Sequence, residues 1–320
     1  MKYFYLFIFI FPTLLSAQKK DTLKLGMYIT SIHDLNLGEN SFKADYWVWF
    51  NYAKDSIKPL ETMEVVNAKE NSYFSPSIEK KNNIMWSMHK CKSVIKKQWN
   101  IENFPFDKQY LKIVIEEATN DYNKIVYIAD EKNSSVDKKV KIEGWNIDKF
   151  TLKSSVARYE TTYGDPVLEG FSEYPRVMAT ITLSRKGLGL FYKLFLGVYI
   201  AFCISLLVFF IDPIDVDPRF GLSVGSLFAA VGNKYIVDSI LPETVTFTLV
   251  DKVHLVTFFF IFLSLLISVR SLYLFKNGKK IQSKKLDTYA FRVVLFFYIF
   301  INSYLLWNAG FFHWNIFFSA

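Results

Sequence analysis

The residues with the most to say about chemistry lie where charge is expensive. Between Asp217 and Pro242 the sequence reads DPRFGLSVGSLFAAVGNKYIVDSILP, long enough to cross a bilayer yet interrupted by glycine, serine, asparagine, lysine and aspartate. Polar groups at membrane depth persist only against protein or a water-filled cavity, so this span is poorly suited to face lipid. Gly221, Gly225, Phe228, Gly232, Tyr235 and Ser239 recur at alternating steps of four and three, which puts them on one helix face. Leu222, Val224, Leu227, Val231 and Ile236 are expected on other faces. A face of small residues either lets two helices touch closely or surrounds a lumen when several copies assemble about an axis. One copy cannot enclose a pore, so the second reading needs a ring of subunits. Lys234 and Asp238, four apart and just off the stripe, are expected to pair within or between subunits rather than to contact an ion. Asp212, Asp215, Asp217 and Arg219 crowd one mouth of the span, where charge can select ions, although any short polar loop between helices also holds charge.

Bond-making chemistry finds little support. The sequence has no GxSxG, no HExxH and no Walker loop. The adjacent acids Glu116 and Glu117 sit at a strand end, where neighbours point to opposite faces, and a solvated strand end is expected rather than an acid/base pair. Cys91 lies in a polar region and Cys203 inside an apolar span, so neither a disulfide nor a thiol metal site is expected. His33, His89, His254 and His313 show no metal-ligand spacing and read as structural. No enzyme, metal or cofactor is expected.

The elements around the polar span organise the rest. The first residues, MKYFYLFIFIFPTLLSAQ, have a basic start, an apolar core and a small residue at Ala17, the pattern of a secretory signal peptide cut after that residue. From Gln18 to about residue 187 the apolar runs are short with period two: Phe42–Tyr52, Lys92–Trp99, Tyr110–Glu116, Lys124–Ile128 and Val177–Leu183. Turn-rich pieces such as Asn82-Asn83 separate them, and a helix is expected only around Leu60–Ala68. This pattern predicts an antiparallel β-sandwich of about ten strands. Four apolar spans follow, Leu188–Ile211, Phe220–Leu241, Val253–Phe275 and Tyr289–Asn308, each of the length that crosses hydrocarbon as a helix. The predicted fold class is therefore an N-terminal antiparallel β-sandwich followed by a four-helix transmembrane bundle. The link between the third and fourth spans gathers Arg270, Lys276, Lys279, Lys280, Lys284, Lys285 and Arg292 against the single acid Asp287, which marks the cytoplasmic side. The strand domain and the C-terminus then lie outside, with the aromatic tail Phe311-Phe312-His313-Trp314 at the outer interface. Part of the +8 formal charge is thus a topology signal, and nucleic acid is not an expected partner.

Two motifs make the reading narrower. Asn100–Gln109 reads NIENFPFDKQ, and its FPFD-x-Q core resembles the hallmark loop of the pentameric ligand-gated ion channels, the Cys-loop receptor superfamily. The R-x-G-L run at Arg219–Leu222, continuing to Leu241-Pro242 and then Thr248-Leu-Val-Asp251, is similar to that family's pore helix, the loop after it and the start of its third helix. Ala44–Phe50 (ADYWVWF), Trp99 and Arg185 are lesser matches, and the resemblance covers nearly all of the mature chain. There are departures. The two cysteines of the animal members are absent, with Lys97 and Leu111 in their places, and the link before the fourth span is short, as in bacterial members. Gly197 stands near a usual proline, and Phe228 where an aliphatic gate residue is common.

The resemblance implies a homopentamer in a bacterial inner membrane, its strand domains in the periplasm and its second spans around a central pore. An unknown small molecule or ion would act as agonist between neighbouring sandwiches and move the FPFD loop against Leu241–Thr248, opening the path to permeant ions. Phe104, Pro105, Phe106, Asp107, Arg185 and Pro242 are the expected coupling residues, with Asp107 pairing with Arg185 and the Phe104–Pro105 bond a candidate for the cis form. By family position Tyr163, Phe171 and Tyr174 would cap the agonist site, and Trp47, Trp86 and Tyr122 would wall it, offering ring faces to a cation. Asp217 leans selectivity toward cations and Arg219 opposes it. The alternative on the same scaffold is a non-conducting membrane sensor or binding protein.

Overall fold

The computed structural model describes residues 20–166, 168–239, 241 and 246–311; the segment expected to be a signal peptide, Pro242, Phe312, His313 and Trp314 lie outside them. The described residues begin with ten strands, β1 (Asp21–Asn36), β2 (Ser41–Tyr52), β3 (Met63–Val65), β4 (Ala68–Lys81), β5 (Ile84–Lys96), β6 (Lys108–Glu117), β7 (Ile125–Ala129), β8 (Ser135–Val136), β9 (Trp145–Tyr159) and β10 (Ser172–Arg185). They form two sheets, one ordered β4-β5-β2-β1-β7 with β8 also on β1, the other β3-β6-β10-β9. Every pairing is antiparallel except two. β7 and β8 run parallel to β1, which departs from the expected all-antiparallel pattern. A parallel pair needs a long connection, and here the chain from β2 to β6 supplies it.

Alternation explains why these segments are strands. Phe42, Ala44, Tyr46, Val48 and Phe50 of β2 are wholly buried, while Lys43 between them is exposed. They join Leu111, Ile113 and Ile115 of β6 and Val177, Ala179, Ile181 and Leu183 of β10 in one continuous apolar core. Removing one such side chain down to alanine costs about 2–5 kcal/mol. Asn82 and Asn83 make the two-residue turn of the β4–β5 hairpin, both at positive φ (49° and 62°), a conformation asparagine tolerates. On the outer face of β1, Gly26 leaves room for the Trp49 indole, which a Cβ there would overlap. The helix expected around Leu60–Ala68 shrinks to one turn, α1 (Pro59–Thr62). β-branched Val65 instead enters β3, and Met63 and Val65 bury themselves against β6.

Four helices follow: α2 (Leu188–Leu206, extended by a 3-10 turn to Phe210), α3 (Val216–Asp238), α4 (Leu249–Lys276) and α5 (Lys280–Asn308). All four are long and apolar enough to cross a membrane. α3 starts earlier than the apolar run suggests because Pro218 and Asp217 suit a first helical turn. Thr248 and Asp251 cap α4 reciprocally: the Thr248 hydroxyl accepts from the Asp251 amide at 3.2 Å, and the Asp251 carboxylate accepts from the Thr248 amide at 2.8 Å. α5 begins nine residues before its apolar run, since Lys280, Gln282, Lys284, Lys285 and Leu286 favour helix without any need of lipid.

One titratable group in the strand domain responds to its burial. His89 of β5 stacks on Tyr73 with ring centroids 4.5 Å apart, and its Nε2 lies 3.2 Å from Met63 Sδ. Burial pushes its pKa from 6.5 down to about 4. A base held neutral by folding gains its proton more readily when unfolded, so its contribution is complete above pH 6.5 and is lost as the pH falls toward about 4. Unfolding midpoints of the detergent-solubilised protein should therefore fall between these pH values, and His89→Gln should flatten that slope. Equal slopes in the two proteins would refute the assignment.

Candidate functional site

α3 turns its faces the opposite way from a helix that meets lipid. Its buried positions are Arg219, Ser223, Ser226, Ala230 and Val237, mostly polar or small. Asp217, Gly221, Gly225, Phe228, Gly232, Tyr235 and Ser239 are all exposed, Phe228 at 73% and Tyr235 at 75%. A Cβ added at Gly221, Gly225 or Gly232 would meet nothing within 4 Å, so these glycines do not serve close packing inside the subunit. That role falls to Gly197 of α2, where a Cβ would lie 2.8 Å from Asn233 Nδ2 of α3. The exposed arc is wider than the stripe, because Val224 and Ile236 flank Gly225 and Tyr235 and are exposed too, not turned to another face as expected.

Arg219 does not belong with the stripe. It is 0% exposed, its Nη2 2.7 Å from Asp287 Oδ1 of α5 and its Nη1 3.5 Å from Ser271 Oγ of α4. Ser271 in turn donates to Asp287 Oδ2 at 2.8 Å. The reason is angular: two residues along a helix is about 200° around it, so Arg219 faces away from Gly221. Lys234 pairs with Asp238 as expected, and also with Asp251 of α4 at 2.7 Å, a partner that the sequence pattern did not indicate.

A second constellation joins the strand domain to the helices. Asp107, 2% exposed, receives Arg185 in bidentate fashion, Nε to Oδ1 at 2.6 Å and Nη2 to Oδ2 at 3.1 Å. Gln109 Nε2 donates to Asp107 Oδ2 and to the Asn100 carbonyl, both at 2.7 Å. The Arg185 guanidinium lies between two rings, 4.0 Å from Trp145 and 4.7 Å from Phe104. The Phe104–Pro105 bond is cis. Phe106 is buried among Phe191 of α2 and Phe311, at centroid distances of 5.8 and 5.2 Å. Gly187, just before α2, admits the Pro105 carbonyl so closely that a Cβ would overlap it. From the same loop the Glu102 carbonyl accepts the Leu249 amide that opens α4 at 2.7 Å, and the Glu102 side chain pairs with Lys252 at 3.3 Å. Phe104, Pro105, Phe106, Asp107 and Arg185 thus share one site, whereas Trp145 and Gly187 carried no sequence signal that would have placed them there.

The candidate ligand aromatics are dispersed within one subunit. Tyr163 and Tyr174 lie 6.3 Å apart and form a triangle with Tyr159. These three border a cleft of about 290 Å³ with Glu64 and Glu116. The acids Glu116 and Glu117 are buried, contrary to the expected solvated strand end. Glu116 accepts from Arg176 Nε at 2.6 Å and Tyr159 OH at 2.8 Å; Glu117 accepts from Tyr127 OH at 2.7 Å and Thr62 Oγ1 at 2.8 Å. Burial, and then the bond to Glu116, pushes the Tyr159 pKa up to about 12. Phe171 sits 3.8 Å under the Arg158 guanidinium, Tyr122 3.8 Å under Lys20 and Trp86 4.2 Å under Lys81. Trp47 is on β2, opposite Lys90 of β5 and in the other sheet from Tyr174. The six do not make one pocket in a single chain.

No protein-family model matches the chain, and no curated protein matches it.

Arg185 offers a direct measurement of the border site. Arg185→Met leaves the Asp107 carboxylate buried without its cation, and should cost about 3–5 kcal/mol of unfolding free energy. Asp107→Leu combined with Arg185→Met should cost less than the sum of the two single changes, because the second removes what the first left unpaired. Additive losses would show that the pair is not coupled.

Proposed function

We propose that this protein is a subunit of a pentameric ligand-gated ion channel of a bacterial inner membrane. The strand domain is then a periplasmic β-sandwich, and five copies of α3 surround the pore. The observation that carries the reading is the polarity of α3: three glycines, Asp217 and two aromatic rings outward beside Val224 and Ile236, with Arg219, Ser223 and Ser226 inward beside Ala230 and Val237. Outward glycines with open space above them suit a shared lumen better than lipid. The border loop supports the same reading, since one segment touches both the strand domain through Arg185 and the start of α4 through Glu102.

In this assembly Asp217 lines the inner mouth and favours cations. Arg219 no longer opposes it, because its charge faces Asp287 and is withdrawn from the lumen. Phe228 forms the constriction, where a ring of phenyl groups closes by dewetting. Agonist at the interface between strand domains, near Tyr163 and Tyr174, moves the Phe104–Asp107 loop against α4 and the α3–α4 connection. The two large rings at Phe228 and Tyr235 also suit a non-conducting sensor on the same scaffold, and a flux measurement separates the two readings. Purified protein in liposomes should pass monovalent cations when challenged with a panel of amines, amino acids, protons and divalent cations. No flux under any of them would leave the sensor standing and the channel refuted.

Phe228→Ala tests the constriction separately. It should raise resting flux above that of the unaltered protein and make activation easier. Unchanged resting flux and activation would remove Phe228 from the gate.

A further inference from the structure

The end of the bundle where α4 turns into α5 carries charge that the protein itself does not neutralise. Lys276, Lys279, Lys280, Lys284, Lys285 and Arg292 are exposed, and among the described residues none of them pairs with a carboxylate. After Asp251 the sequence holds one acid, Asp287. That acid is turned inward, 4% exposed, onto Arg219 and Ser271. The exposed surface of this part of α5 is left cationic, while the exposed acids at the same end of the bundle, Asp212 and Asp215, belong to the α2–α3 turn.

Three residues on this surface have the layout of a binding site. Lys285, Tyr289 and Arg292 follow at steps of four and three, so they share one face of α5, over a rise of about 10 Å. Tyr289 is 66% exposed. Just beyond Arg292 the same side of the helix becomes apolar, with Val293, Phe296 and Ile299 each at least half exposed. A helix side that changes from cations and a phenol to phenyl and aliphatic groups marks the depth at which headgroup gives way to hydrocarbon. Acyl chains lying along Phe296 and Ile299 bring their own phosphate to the level of Arg292. A guanidinium takes two phosphate oxygens at once, and the ammonium of Lys285 adds a point charge below.

We propose that Lys285, Tyr289 and Arg292 bind the phosphate of an anionic phospholipid whose chains cover the outward face of α5. The site rests on the four helices crossing a membrane and not on conduction, so a protein that passes no ions can still satisfy the test below.

The test uses the full chain in neutral detergent, titrated with phosphatidylglycerol, phosphatidylcholine or free glycerol phosphate while its unfolding temperature is followed. Phosphatidylglycerol at a hundredfold excess over its Kd should raise the midpoint by roughly 5 °C relative to phosphatidylcholine, and added salt should reduce the rise. Lys285→Gln with Arg292→Gln should abolish most of that rise while leaving the midpoint in phosphatidylcholine unchanged. Lys285→Gln alone, an exposed residue without a carboxylate partner, should abolish part of it and covers the case in which the double variant does not fold. An undiminished rise in these variants overturns the site. An equal rise from glycerol phosphate overturns the lipid assignment by showing a site for free anions.

Discussion

The buried pair between Arg219 and Asp287 decides which way the third helix faces. Taking two charges out of water is costly, and their attraction offsets this only when geometry and neighbouring hydrogen bonds are good. Here the neighbours are two serines: Ser271 donates to Asp287 and shares a 2.8 Å contact with Ser283. Such an arrangement adds little to stability over an apolar pair of the same volume. What it supplies is direction. A helix whose buried side is Arg219, Ser223 and Ser226 has few apolar contacts to set its rotation, and the ion pair sets it. With Arg219 inward, Gly221, Gly225 and Phe228 must face out, and the exposed charge at that mouth is acidic, from Asp212, Asp215 and Asp217. The same pair draws Asp287 off the surface of α5 and leaves the surrounding cations without a carboxylate paired to them among the described residues.

The border between sheets and helices has a different logic. The strand domain is held by period-two burial in a continuous core, while the helices are held by stripes, serines and ion pairs. The segment from Asn100 to Gln109 meets both. Phe104 and Phe106 are buried in an apolar cluster with residues of α2, α3 and α4, while Asp107 faces back to β10 through Arg185. Gly187 matters because the loop's backbone passes where any side chain would stand.

Much of this was legible from spacing. The stripe on α3 follows from alternating steps of four and three, and β2 and β10 follow from strict alternation. What spacing cannot carry is the identity of the face that is buried and the partners that arrive from far along the chain. Arg219 sits two residues before the stripe, at the charged mouth, yet its side chain is on the opposite side because its partner, Asp287, lies on another helix. Glu116 and Glu117 resemble a solvated strand end until Tyr127, Tyr159 and Arg176 are brought to them by the fold. β4 shows almost no apolar alternation, since it is an exposed edge strand. The parallel placement of β7 beside β1 is a property of the whole sheet and has no local signature. The six aromatic candidates lie apart within one subunit, and several of them already pack under a nearby cation.

These contacts combine into a continuous polar route from the strand domain to α3. Arg185 holds Asp107; the loop that carries Asp107 accepts the first amide of α4 through Glu102; Thr248 and Asp251 cap that helix; and Asp251 reaches Lys234 on α3. Each link is directional, because hydrogen bonds and ion pairs weaken with angle as well as distance. An apolar route would absorb a small displacement by sliding, whereas this one transmits or breaks. α3 buries few apolar groups, mainly Ala230 and Val237, and is tied at one end to α5 through Arg219, at the other to α4 through Lys234, and in between to α2 and α4 through Asn233, which packs on Gly197 and meets His254 at 3.0 Å. Contiguity of this kind becomes coupling only when α3 has two orientations for the border loop to bias.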